Sequence, residues 1–172
     1  MDHTLEHLSA RVGEALIRRG WMLGTAESCT GGWIAEVVTA TAGSSTWFDR
    51  GFITYSNAAK TDMLDVGTET LAAHGAVSEA TVAEMAAGAL KHSLASITVA
   101  VSGIAGPGGG SEAKPVGTVC IATALRRGGV FPTTRHFDGD REAVRRQAVI
   151  AALEAILRLA DSDSSISASS VP

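Results

Sequence analysis

Apolar positions recur every three to four residues at the start of the chain. Leu5, Leu8, Val12, Ala15 and Leu16 share one face, with Glu6, Arg11, Glu14 and Arg18 between them. The chain therefore opens with an amphipathic helix that ends near Gly20. The period then shortens, and Trp21 to Thr25 reads as a short strand. Gly32 to Thr41 returns to helical spacing with Ile34, Val37 and Val38 inward, and Ala42-Gly43-Ser44-Ser45 breaks it. Gly51 to Tyr55 is a second strand, and Ser56-Asn57 is a cap signal for a short helix from Ala58 to Leu64. Thr68 to His74 forms another short helix closed by Gly75, and Ser78 caps a longer one to about Leu94. Ser96 to Val101 is β-rich and almost wholly apolar, the pattern of a central strand covered on both faces. Val116 to Ala124 reads the same way. A turn at Arg126 to Gly129 and a last strand, Thr133 to Phe137, make the closing strands antiparallel neighbours. Asp140 caps the final helix, whose apolar face is Val144, Ala148, Ala151, Ala152, Ala155, Ile156 and Leu159.

Strands alternate with helices early and cluster late. This predicts one layered α/β/α domain, with a mixed sheet covered by helices on both faces. From Asp161 the chain reads DSDSSISASSVP and has almost nothing to bury. The expected division is a folded domain over 1–160 and a Ser-rich disordered tail over 161–172.

The bulk numbers narrow the function classes. The 172 residues suit one domain, and hydrophobic residues make up 45%. A net charge of -4 argues against a nucleic-acid partner. The two cysteines, Cys29 and Cys120, fall in no CxxC or Cys/His spacing, so neither a zinc site nor a disulfide is expected. The first residues, MDHTLEHLSA, lack the pattern of a signal peptide, and no run is long and apolar enough for a membrane. A cytoplasmic protein is the expectation.

Four places offer chemistry. In Thr25-Ala26-Glu27-Ser28-Cys29-Thr30-Gly31-Gly32-Trp33, hydroxyls and a thiol stand where a strand meets a helix. Free N–H groups and the positive end of the helix dipole suit an anion or a developing oxyanion there. The plainer reading is an N-cap. A reactive serine needs a base. The five histidines form no Ser-His-Asp or Gly-x-Ser-x-Gly pattern, whereas Lys60 follows the second strand closely. Near a helix start its charge is disfavoured, and a lowered pKa would make it a base; otherwise it is a surface lysine. Tyr55, the chain's only tyrosine, either fills the core or serves as a relay or stacking surface. Ser102 to Gly110 is a strand followed by a glycine loop, of the kind that cradles phosphate or carboxamide oxygens. Arg141 and Arg145 share a helix face at i,i+4, where like charges repel unless an anion lies between them. The alternative is a solvated face on which Glu142 pairs with Arg146.

Together the stretches TAESCTGGWIAEVV, AGSSTWFDRGFITYSNAAK, GAVSEATVAEMA, VSGIAGPGGGSEAKPVGTV and FDGDREAVRRQA resemble the C-terminal domain of the CinA family. The likeness spans roughly Leu5 to Leu159, and the N-terminal domain of longer members is absent. It implies hydrolysis of the carboxamide of nicotinamide mononucleotide to nicotinate mononucleotide and ammonia, in pyridine-nucleotide salvage. No metal or other cofactor is implied, and a homo-oligomer is expected. Carried over by position, Ser28 is the nucleophile, Lys60 its base, and Tyr55 tunes Lys60 or holds the pyridine ring. The oxyanion falls to backbone around Cys29, Thr30 and Gly31, or to Ser102 and the loop from Gly103 to Gly106. Arg141 and Arg145 anchor the phosphate. Two rivals remain open at this point: Cys29 as a thiolate nucleophile at a helix start, and a non-catalytic nucleotide sensor built from the same loops.

Overall fold

The computed structural model describes residues 2–167. In chain order the elements are α1 (His3–Arg19), β1 (Leu23–Glu27), α2 (Trp33–Thr39), β2 (Phe48–Ile53), α3 (Asn57–Leu64), α4 (Thr68–His74), α5 (Glu79–Lys91), β3 (Ile97–Gly103), β4 (Thr118–Leu125), β5 (Val130–His136) and α6 (Arg141–Ser167). The strands form one sheet in the order β2-β1-β3-β4-β5. β1 is parallel to both β2 and β3, and β3–β4 and β4–β5 are antiparallel, so the sheet is mixed as the sequence predicts.

Period-two alternation divides the core. Ile97, Val99 and Val101 of β3, with Val119 and Ile121 of β4, face α1, α2 and α6. Ala100, Cys120, Ala122 and Ala124 point the other way, with Ala26, onto Leu64, Val82, Met85 and Ala89 under α3 and α5. The second face is lined mainly by alanines, which lets α5 approach closely. Gly88 takes this furthest: a Cβ there would sit 1.9 Å from the Leu64 carbonyl oxygen.

Several boundaries move from expectation. β1 begins two residues late, because Gly20 closes α1 in the left-handed region at φ 65° and the Trp21 N–H is spent on Leu16 O. It also extends to Glu27, a charged residue that fits a buried strand only because its carboxylate is fully bonded, as shown below. β2 runs earlier than predicted, in parallel register Leu23↔Phe48 to Glu27↔Ile53, so Tyr55 lies beyond the strand. β5 starts at Val130 because the turn after Leu125 is tight. Its exposure and Pro132 hid this from the pattern. α6 runs to Ser167, past the predicted start of the tail at Asp161. Residues 168–172 of that tail lie outside the described residues.

The topology fixes where a site can form. From β1 the chain crosses through α2 to β2 on one side, then through α3, α4 and α5 to β3 on the other. Crevices open where such parallel connections diverge, at the carboxyl ends of the strands. Here those ends carry Ser28 and Ser102.

Candidate active site

Ser28 directly follows β1, and its N–H donates to Val101 O of β3. Its neighbour across the crevice is Lys60. Ser56, not Asn57, caps α3, its hydroxyl accepting from the Ala59 N–H at 3.0 Å. Lys60 is thus the fourth residue of α3, past the exposed N–H groups that were expected to perturb it. Its side chain turns into the protein and is 1% exposed, which removes the surface-lysine reading. Nζ lies 3.0 Å from Ser28 Oγ, 2.8 Å from Thr54 O and 3.2 Å from Tyr55 O. Desolvation by burial holds its pKa below the ordinary lysine value. The shift therefore comes from burial.

The three contacts define what this amine does. Carbonyls only accept, so Thr54 O and Tyr55 O engage two N–H bonds. A neutral amine then has its lone pair left for the Ser28 hydroxyl proton. That is the geometry of a general base.

Ser28 and Lys60 line a chamber of about 200 Å³ with Cys29, Tyr55, Ala76, Val77, Ser102, Gly103, Ala105 and Arg141. Ser102 is 1% exposed and its hydroxyl has no hydrogen-bond partner among the described residues. Gly103 keeps the wall thin: a Cβ there would lie 2.7 Å from Val119 Cγ2 and 3.2 Å from Cys29 Sγ. Arg141 also lines an outer cleft of about 710 Å³ with Arg145, Trp33, Glu36, Glu142 and the Thr30-Gly31-Gly32 turn. It is the one residue shared by the two spaces. Its Nη1 donates to Gly106 O at 2.8 Å and its Nη2 to Tyr55 Oη at 3.3 Å.

Tyr55 is 64% exposed, so it does not fill the core. Only its carbonyl touches Lys60; its phenol reaches Arg141. Arg145 spends its Nε on Cys29 O at 3.0 Å and its Nη2 on Thr30 O at 3.2 Å, with the guanidinium 5.4 Å from the Trp33 ring centroid. The expected Glu142–Arg146 pair does not form. Arg146 Nε donates instead to Asp2, the cap of α1, which lies across the start of α6.

The sequence reading missed Glu27. This fully buried carboxylate accepts from Thr30 Oγ1 at 2.7 Å, Ile34 N at 2.8 Å and Ala35 N at 3.0 Å. It caps α2, whose N-cap Gly32 has no side chain to do so. The helix start predicted to bind an anion therefore already holds one. The N–H groups of Cys29 and Thr30 remain, donating to no protein oxygen among the described residues. The signal in the sequence was a lone acid at the end of an apolar strand. Burial pushes the Cys29 thiol up to about 11, with Glu27 adding to the rise, which weighs against a low-pKa thiolate at this helix start. Among the described residues, no three His, Cys, Asp or Glu side chains are grouped to hold a metal ion.

The model of the CinA C-terminal domain matches residues 5–160. The chain belongs to that family. Nicotinamide-nucleotide amidohydrolase PncC of Escherichia coli is 59% identical over 155 residues, covering 90% of this chain and 94% of that one. The protein of the same name from Pseudomonas putida is 55% identical over 152 residues, covering 88% and 94%. A crystal structure of competence/damage inducible protein CihA from Agrobacterium tumefaciens superposes with a TM-score of 0.89 at 51% identity, covering 92% of this chain and 97% of that one. The CinA-type fold is thus shared across nearly the whole folded chain.

Proposed function

We propose that this chain is a nicotinamide-nucleotide amidohydrolase, converting nicotinamide mononucleotide to nicotinate mononucleotide and ammonia with Ser28 as nucleophile. The supporting observation is the buried Lys60 amine on the Ser28 hydroxyl. Ser28 Oγ attacks the carboxamide carbon while its proton passes to Lys60 Nζ. Lys60 returns that proton to the departing nitrogen, so ammonia leaves and an ester remains on Ser28. Water, deprotonated by Lys60, then attacks the ester, and Lys60 passes that proton to the leaving Ser28 oxygen, freeing the carboxylate. The unspent N–H groups of Cys29 and Thr30 hold the oxyanion, each such donor contributing ~3–4 kcal/mol. Ser102 and the loop from Gly103 to Gly106 border the amide, and Gly31 lets the ligand pass close to the backbone.

The volumes suit a ligand in two parts. The chamber takes the pyridine carboxamide, and the outer cleft takes the ribose phosphate beside Arg141 and the remaining N–H groups of Arg145. Binding there positions the distant amide for attack. Cytoplasmic location, pyridine-nucleotide salvage and self-association belong to the same reading. No described helix is long and apolar enough to cross a membrane.

Ammonia release from nicotinamide mononucleotide by the purified protein tests this. Turnover that S28A abolishes is the expected result. Tight binding without ammonia would establish the sensor reading instead.

A further inference from the structure

The turn from Ser28 to Gly32 carries the nucleophile, yet it ends in two glycines at φ 59° and 101°, with no side chains to anchor it. Beyond its own Gly31 N–H to Ser28 O bond, it is held from outside itself. From β1, the Glu27 carboxylate takes the Thr30 hydroxyl and the Ile34 and Ala35 N–H groups in the first turn of α2. From α6, Arg145 forks onto Cys29 O and Thr30 O. Thr30 is thus gripped by its side chain from one element and its carbonyl from another. In a trans peptide the C=O and N–H point opposite ways, so holding Cys29 O also aims the Thr30 N–H away from Arg145.

We infer that Glu27 and Arg145 act together as positioning residues for Ser28 and the N–H groups beside it, and that this, rather than contact with the phosphate, is the main task of Arg145. The inference rests on the amidohydrolase reading for its reaction. Its consequence is chemical. The guanidinium holds its N–H groups in a fixed planar fork on the two carbonyls and lies over Trp33, whereas an ammonium has neither a fixed fork nor a plane to stack. An ammonium does serve as a point charge for phosphate.

R145K separates the roles. The measurement is kcat and KM for R145K, R145A and E27Q, with nicotinamide mononucleotide and with nicotinamide riboside, which lacks the phosphate. Thermal unfolding reports whether each variant is folded. The clamp predicts that kcat falls about 10–100-fold in all three, by the same factor on both substrates, with little change in KM. Near-normal kcat in R145K, or a loss seen only as raised KM for the phosphorylated substrate, overturns it. R145K keeps the charge and most of the stem, so it decides the matter even if another variant fails to fold. Labelling of Ser28 with a fluorophosphonate gives a readout independent of amidase turnover. Slower labelling in R145K and E27Q supports the clamp even if wild type releases no ammonia, and labelling at the wild-type rate sinks it.

Discussion

Lys60 Nζ lies 3.0 Å from Ser28 Oγ, and its two other contacts are carbonyl oxygens. Nothing on that short list can take the serine proton except the amine. K60A and S28A are therefore expected to lower kcat by roughly 10²–10⁴-fold or more in folded protein. K60R should do no better than K60A, because a guanidinium stays protonated. Steady-state ammonia release measures all three.

The same burial sets a pH dependence. The neutral amine is the working form, so kcat/KM should fall as pH drops through the lowered Lys60 pKa. Stability follows the same sign. The unfolded chain binds this proton with ordinary lysine affinity, so between the folded and unfolded pKa values it holds more protons than the native state. Stability then rises with pH across that window. K60M should lose this component of the slope, and denaturation at several pH values would show an unchanged slope if the amine were freely solvated.

Cys29 gives a sharp chemical test. With its thiol pushed up to about 11, very little of Cys29 is thiolate at neutral pH. Iodoacetamide should label Cys29 far more slowly in the folded protein than in denaturant, and ammonia release should continue during the exposure. Inactivation in step with Cys29 labelling would return the thiol to candidacy.

Tyr55 separates backbone from side chain. Y55F keeps the carbonyl on Lys60 and removes only the 3.3 Å contact with Arg141. A single hydrogen bond of this kind implies a loss of kcat/KM no greater than about tenfold. R141A should instead raise KM for the mononucleotide more than for the riboside. A collapse of kcat in Y55F would make the phenol part of the proton path.

Gly103→Ala drives a methyl toward Val119 Cγ2 and Cys29 Sγ. Overpacking of this sort costs about 1–3 kcal/mol. Because Cys29 adjoins Ser28, the variant should lose activity beyond what its unfolding midpoint explains.

The element types were legible because apolar spacing reports which face is buried. The Asp140 and Ser78 caps were legible because a short polar side chain before a helical run has few other uses. Lys60 stood out only by its sequence neighbourhood; its burial depends on α3 packing against α5 and bringing the amine to Ser28 after β1, which no local pattern records. The bonds made by Glu27 and by Arg145, which the sequence offered only as a phosphate anchor, were opaque for the same reason. Their partners lie on other elements, up to 116 residues away, and side chain to carbonyl contacts leave no periodic trace. The boundaries of β2 and β5 were misplaced because edge strands have one unpaired side and show weak patterns.

The chamber is walled by the end of β3 and the segments that follow β1 and β2, with Ala76, Val77 and Arg141 completing it. The β4–β5 turn at Arg126 to Gly129 follows Leu125, which pairs with Ile97 at the other end of β3. That turn is therefore a handle: a label, a surface tether or a fused domain attached there stands a full strand length from the reacting serine.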